Sequence, residues 1–132
     1  MKQRILFVPP EELKVHEKTN KKRLLAIVAD IKRCGVLNAP IIVARQEKVV
    51  LDGHHRLAAL KLLGAKFIPV VLVDYFSQQI RVGLRRPQLR SRLIKTAILS
   101  LAAKGKVLPY KTTRHELPQR LRNERISLSE LV

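Results

Sequence analysis

The sequence predicts an α+β fold, a small sheet packed with helices and followed by a basic helical segment at the C-terminal end. Three observations lead there. Short apolar runs such as "IIVA" (41–44) and "FIPVVLV" (67–73) have the length and β-branched content of strands. Ahead of them Leu24, Ile27, Val28 and Ile31 recur at helical spacing. The 132 residues, 46% hydrophobic, suffice for one compact unit with a core.

Taken in order, Ile5 to Val8 is a first strand stopped by Pro9-Pro10, and an acidic link, "PPEELKVHEKTN", follows. Asn20 is a good N-cap for the first helix, and Gly35 supplies its C-terminal stop. Ile41 to Ala44 and Lys48 to Leu51 form a hairpin around a polar turn at Arg45 to Glu47. The second helix begins near His55, carries Leu57, Leu60 and Leu63 and ends at Gly64; "KFIPVVLVDY" is a buried strand. The first 75 residues thus read as a complete α+β unit. Beyond Phe76 the chain turns basic, with Pro87 starting a helix whose apolar face is Leu89, Leu93, Ala97, Ile98 and Leu101, stopped by Gly105. A loop leads to a last short helix from Pro118 to Asn123. The organisation expected is a core at residues 1–76 and a basic helical segment with a substrate loop at 77–132, packed as one unit.

Charge is lopsided, with 27 Lys+Arg against 10 Asp+Glu, a formal +17. Residues 76–132 hold 13 of the basic side chains and only 3 of the acidic ones. Such a field draws polyanions of any kind, from nucleotides to nucleic acid; a basic proteome or a thermophile's surface would give the same excess. Aromatics make up 4% and Trp is absent, which argues against a stacking platform for single-stranded bases. The single cysteine, Cys34, excludes an internal disulfide and suits a reducing compartment; its expected role is a small apolar filler near a helix end. No apolar stretch is long enough to span a membrane, and "MKQRILFVPPEEL" lacks a signal peptide's apolar core, so a cytoplasmic protein without a membrane partner is expected.

Candidate chemistry gathers in three places. In "VLDGHHR" (50–56) a strand delivers Asp52, Gly53 permits a tight turn, and a helix starts at His54 or His55, so backbone N–H groups and the positive end of a helix dipole converge on an anion site. His54, His55 and Arg56 add donors, while Asp52 is a metal-facing carboxylate or a base; the alternative is a simple N-cap by Asp52 with surface histidines. "KTTRH" (111–115) offers a second anion-binding set, in which Arg114 can grip a phosphate or carboxylate in bidentate fashion, or else a solvated basic loop. Glu17 in "VHEK" reads on its own as surface decoration. The four histidines show no metal-ligand spacing, which disfavours zinc, while a phosphate-borne magnesium stays open.

Taken together, Glu17 before the first helix, "VVLDGHHRLAALKLLGAKFIPVVLVDY" and "KGKVLPYKTTRHEL" resemble the ParB/sulfiredoxin-like superfamily, and within it the archaeal free L-serine kinases. The turn lacks the cysteine that sulfiredoxin requires. The resemblance implies a compact domain with a small mixed sheet and a C-terminal helical segment closing over the cleft. It implies phosphoryl transfer from ATP or ADP to free L-serine, with Mg2+, giving O-phospho-L-serine. Glu17 and Asp52 would then be the catalytic carboxylates, Asp52 also a magnesium ligand. Gly53, His54, His55 and Arg56 would contact the nucleotide phosphates, and Thr112, Thr113, Arg114 and His115 would bind serine and the phosphate of its product. Only 35 residues separate Tyr75 from Lys111, a shorter substrate lobe than those kinases carry. The alternative reading is a ParB-like nucleic-acid binder or nuclease that grips phosphates through Arg81, Arg85, Arg86, Arg90 and Arg92. Neither reading specifies an oligomeric state.

Overall fold

The computed structural model describes residues 4–84, 91–107, 113–117 and 124–132. The α+β architecture is the expected one: β1 (Leu6–Val8), α1 (Lys21–Cys34), β2 (Val36–Leu37), β3 (Ile41–Ala44), β4 (Val50–Asp52), α2 (His54–Leu62), β5 (Ile68–Val73), β6 (Arg81–Leu84), α3 (Ser91–Ala103), β7 (Thr113–Glu116) and β8 (Ile126–Ser127). The main sheet runs β1-β5-β3-β4. It is mixed: β3 and β5 are parallel, and β1 with β5 and β3 with β4 are antiparallel.

Local chemistry accounts for the boundaries. Asn20 caps α1 by accepting the Arg23 N–H at 3.0 Å, and Gly35 ends it in the left-handed region, φ 71°. The expected hairpin forms as β3 and β4, but its second strand begins two residues late because Glu47 and Lys48 both take positive φ in the turn. The β3 residues are all buried, which explains an apolar run without alternation: both faces of the strand are covered. One face packs with α1 and α2 through Ile31, Leu57 and Leu60. On the other, Ala44, Val49 and Leu51 meet Tyr75, Ile80, Ile94, Ile98 and Ala102, so α3 lies against the sheet.

Two expectations need correcting. Residues 1–75 do not form a closed unit, because β8 pairs with β2 and Leu131, fully buried, sits in the first core beside Ile126. The Leu131 carbonyl also accepts the backbone N–H groups of Lys66 and Phe67. Cys34 is exposed rather than a core filler, since it lies on the solvent side of the last turn of α1 beside Asp30. Pro87, Leu89 and the helix expected at 118–123 fall outside the described residues, as do Arg85, Arg86 and Arg90; the described part of α3 ends at Ala103, ahead of a left-handed Gly105, φ 71°. Among the described residues no helix is long and apolar enough to cross a membrane.

Leu131→Ala should cost about 2–5 kcal/mol of stability, the range for emptying a closed apolar site. Urea denaturation measures it, and a loss under about 1 kcal/mol would mean that the C-terminal residues do not complete the core.

Candidate active site

The site is organised by the passage from β4 into α2. The residue that caps α2 is Gly53, at φ 109° and without a side-chain cap, so the simple reading of Asp52 as N-cap does not hold. A Cβ at Gly53 would lie 3.0 Å from Arg56 Nη2 and 3.0 Å from Ile41 Cγ1, so both conformation and space favour glycine. Asp52 instead pairs with Arg56, Oδ2 to Nη2 at 3.2 Å. The Arg56 guanidinium also donates to the carbonyls of Ala39 and Pro40 at 3.0 and 3.1 Å, which fastens the turn to the entry of β3. The first-turn N–H groups of α2 point along the helix axis at this same turn, with the dipole's positive end.

A cleft of about 410 Å³ opens there, lined by Asp52, Gly53, His54, His55 and Arg56 and by Arg23, Asp30 and Asn38 across from them. Its second wall is α1, and the two helix starts are joined directly: the Asn20 N–H donates to His55 Nε2 at 2.9 Å. A second hollow, of about 450 Å³, is lined by Glu17, Lys18, Thr19, Leu57 and Lys61. His54 borders both. Asp52 and Glu17 therefore open onto adjoining spaces with one imidazole between them.

The extended link that carries Glu17 is held by His16. This ring is 1% exposed, and its Nδ1–H donates to the Val50 carbonyl at 3.0 Å. Its backbone N–H donates to His54 Nε2 at 3.3 Å. Beside it the link bridges to β4, Lys14 N–H to the Lys48 carbonyl and Val50 N–H to the Lys14 carbonyl. The His16 ring lies edge-on to His54 at 4.6 Å and to His115 at 5.3 Å between centroids. His115 thus comes from β7 to stand beside the turn, and its Nε2 is 2.7 Å from the Tyr75 hydroxyl. Behind Tyr75 lies buried Lys95, its ammonium 5.4 Å from the ring centroid and hydrogen-bonded to the carbonyls of Ser77 and Ile80.

These surroundings keep the histidines neutral. Burial, reinforced by competition with the His16 ring for a proton and by the Lys95 ammonium, pushes His115 down to about 3. Burial likewise lowers His54 well below its usual value, with His16, His115 and His55 adding to the effect. His16 is lowered by burial against the opposing influence of Glu17 and of its bond to Val50, and His55 by burial and Arg23 against Glu17.

The structure brings Glu17, Asp52, Gly53, His54, His55, Arg56 and His115 to one region. Thr113 and Arg114 are placed through the β6–β7 pairing, opposite Leu84 and Gly83, and Thr112 lies outside the described residues. Sequence reasoning missed His16, Tyr75 and Lys95. Their signal is thin: a histidine in a charged link, an aromatic ending a strand, and a lysine on a helix, each given meaning only by tertiary contact. Among the described residues no group of three or more His, Cys, Asp or Glu is arranged to hold a metal ion.

No family model matches the chain. It is 33% identical over 92 residues to the ADP-dependent L-serine kinase SerK of Thermococcus kodakarensis, a stretch covering 67% of this chain and 38% of that protein. To the ATP-dependent L-serine kinase of Staphylothermus marinus it is 35% identical over 88 residues, 64% of this chain and 35% of the relative. A ParB-like protein of Sulfolobus acidocaldarius is 40% identical over 79 residues, 58% and 38% of the two chains. The chain thus spans little more than a third of the length of the curated relatives it matches. Among solved structures, a free serine kinase in complex with AMP superposes with a TM-score of 0.83 at 19% identity, covering 100% of this chain and 95% of the other. A conserved hypothetical protein from Pyrococcus furiosus gives 0.83 at 18%, covering 100% and 99%. The fold is therefore that of the free serine kinases, as the resemblance to the ParB/sulfiredoxin-like superfamily led us to expect.

Buried neutral histidines have a consequence for stability. Because its folded value is depressed, His115 contributes fully above about pH 6.5 and loses its contribution as pH falls from there toward about 3, where the unfolded chain binds the extra proton. For His115 alone stability should fall by about 1.4 kcal/mol per pH unit over that window, and the other lowered histidines add to the fall in the same direction. Urea denaturation at pH 7, 6 and 5 should show the slope, shallower in His115→Asn; a flat profile in the parent protein would contradict the burial of these rings.

Proposed function

We propose that the chain is a nucleotide-dependent kinase that transfers a phosphoryl group from ATP or ADP to free L-serine, giving O-phospho-L-serine. The observation that carries this reading is the position of His54, which borders both the cleft at the α2 start and the hollow lined by Glu17. The matches to ADP- and ATP-dependent L-serine kinases support the substrate pair. A phosphoryl transfer needs an anion cradle beside a base that faces a hydroxyl, and little covalent chemistry.

In this reading the nucleotide lies in the cleft between α1 and α2, its phosphates at the Gly53 turn. The first-turn amides of α2 and the imidazoles of His54 and His55 donate to them. Serine enters the adjoining hollow, where Lys18 and Lys61 offer charge to its carboxylate. Glu17 takes the Oγ proton as that oxygen attacks the terminal phosphorus, and the bond to the departing ADP or AMP oxygen breaks in line. Thr112, Thr113, Arg114 and His115 receive serine and the phosphate it acquires.

Asp52 suits a magnesium ion that travels on phosphates, since such an ion asks the protein for one or two carboxylates rather than a full cage. Bound there, it would neutralise charge gathering on the transferred group. Asp52 is already oriented by Arg56 and is partly exposed to the cleft. We place the functional division with the nucleotide on residues 1–76 and the substrate loop within 77–132, acting as a single unit in the cytoplasm.

A second reading, nucleic-acid binding, is favoured by the +17 charge and by the ParB-like relative. It predicts affinity that falls steeply with added salt.

With purified protein, L-serine, magnesium and either ATP or ADP, O-phosphoserine should form, and Glu17→Gln should lower kcat about 100-fold or more while nucleotide affinity stays within a factor of about two. Chelation of magnesium should abolish turnover. Product formation unaffected by Glu17→Gln would remove Glu17 as the base. Absence of product, together with salt-sensitive DNA binding, would favour the second reading.

A further inference from the structure

The mechanism above uses His115 as a ligand to substrate but leaves Tyr75 and Lys95 unassigned. Tyr75 is fully buried, and its hydroxyl lies 2.7 Å from His115 Nε2. Two arrangements of that hydrogen bond are conceivable. If the ring nitrogen donated, the phenolic proton would need another acceptor, and among the described residues it has none. A buried O–H left without a partner is costly, whereas the reverse arrangement, with the hydroxyl donating and Nε2 accepting, satisfies both groups. A neutral imidazole that accepts at Nε2 carries its proton at Nδ1. Among the described residues no hydrogen-bond partner meets His115 Nδ1.

We propose that Tyr75 is a positioning residue: its O–H donates to His115 Nε2, holds that ring in the Nδ1–H tautomer, and so presents Nδ1–H as the donor toward the phosphate carried by the acceptor substrate. The low basicity of His115 and the raised value of the Tyr75 phenol, both caused by burial, keep the two groups in these protonation states. Lys95 fixes the other side of the arrangement. Tied to the carbonyls of Ser77 and Ile80, it places its ammonium over the face of the Tyr75 ring and seats the phenol. His54 follows the same rule from the opposite side: the His16 backbone N–H donates to its Nε2, which leaves Nδ1–H as that ring's donor. The two imidazoles that flank His16 are both set as neutral donors, one by a backbone amide and the other by Tyr75.

The proposal rests on the kinase reading for the identity of the anion, but the tautomer can be read without it. In long-range 1H–15N spectra of the 15N-histidine-labelled protein without ligand, His115 Nε2 should resonate as an unprotonated ring nitrogen and Nδ1 as a protonated one. In Tyr75→Phe, which keeps the ring in the core, His115 should move toward the Nε2–H tautomer that free imidazoles prefer. Affinity for O-phospho-L-serine should fall about tenfold, the scale of one charge-assisted hydrogen bond, with ADP affinity unchanged. A protonated Nε2 on His115 in the parent protein would overturn the proposal without any variant. So would a tautomer change in Tyr75→Phe that leaves O-phospho-L-serine affinity untouched. A parent protein that makes no O-phosphoserine, yet shows the Tyr75-dependent tautomer and binds inorganic phosphate more weakly once Tyr75 is Phe, would fault the kinase reading and support the role of Tyr75.

Discussion

The hydrogen bond from the buried His16 ring to the Val50 carbonyl is the contact on which the site depends. At 3.0 Å it pins an extended, highly charged link against β4, one residue before the carboxylate of Glu17. The same residue's backbone N–H reaches His54 in the first turn of α2. A single histidine thus couples strand, link and helix start. The backbone bridge at Lys14 holds the same link to β4 two residues earlier, and the Asn20 N–H ties its far end to His55. Burial makes this interaction expensive to lose, because the imidazole would otherwise bring an unpaired polar group into the core.

From that contact the rest follows by packing. Gly53 lets the chain reverse from β4 into α2 in a conformation that suits glycine, and Arg56 secures the turn by bonding to Asp52 and to the carbonyls of residues 39 and 40. Asn20 links the starts of α1 and α2, so the walls of the cleft are held at their mouth as well as through the apolar contacts between Ile31 and Leu57 or Leu60. Charge plays a different part. The +17 excess raises the local concentration of anionic ligands, while at the turn itself the Asp52–Arg56 pair balances its own charge and the neutral imidazole of His54 selects by geometry rather than by net attraction.

The main elements were legible because their signals are local: Asn20 and Gly35 bracket α1, and the β-branched runs announce β3 and β5. The turn at 52–56 was legible as a tight strand-to-helix passage because strand, glycine and helix start sit in seven consecutive residues. What the sequence hid was long-range. Nothing near Ile126 or Leu131 says that they close the first core, and nothing near Tyr75 says that its hydroxyl meets a histidine 40 residues away. His16 was invisible for a related reason: its partners, Val50 and His54, lie more than 30 residues along the chain. Cys34 shows the opposite failure, an apolar residue type read as filler where the helix face turns to solvent.

The central claim is that the Gly53 turn and the link around Glu17 form one site for nucleotide and amino acid. Backbone 1H–15N spectra recorded while ADP and then L-serine are added test it most directly. The account predicts that ADP moves the amides of His54, His55 and Arg56, and that serine then moves Glu17, Lys18 and Thr19. Shifts confined to the basic segment beyond Phe76, or no change at residues 52–56 at saturating ADP, would contradict it.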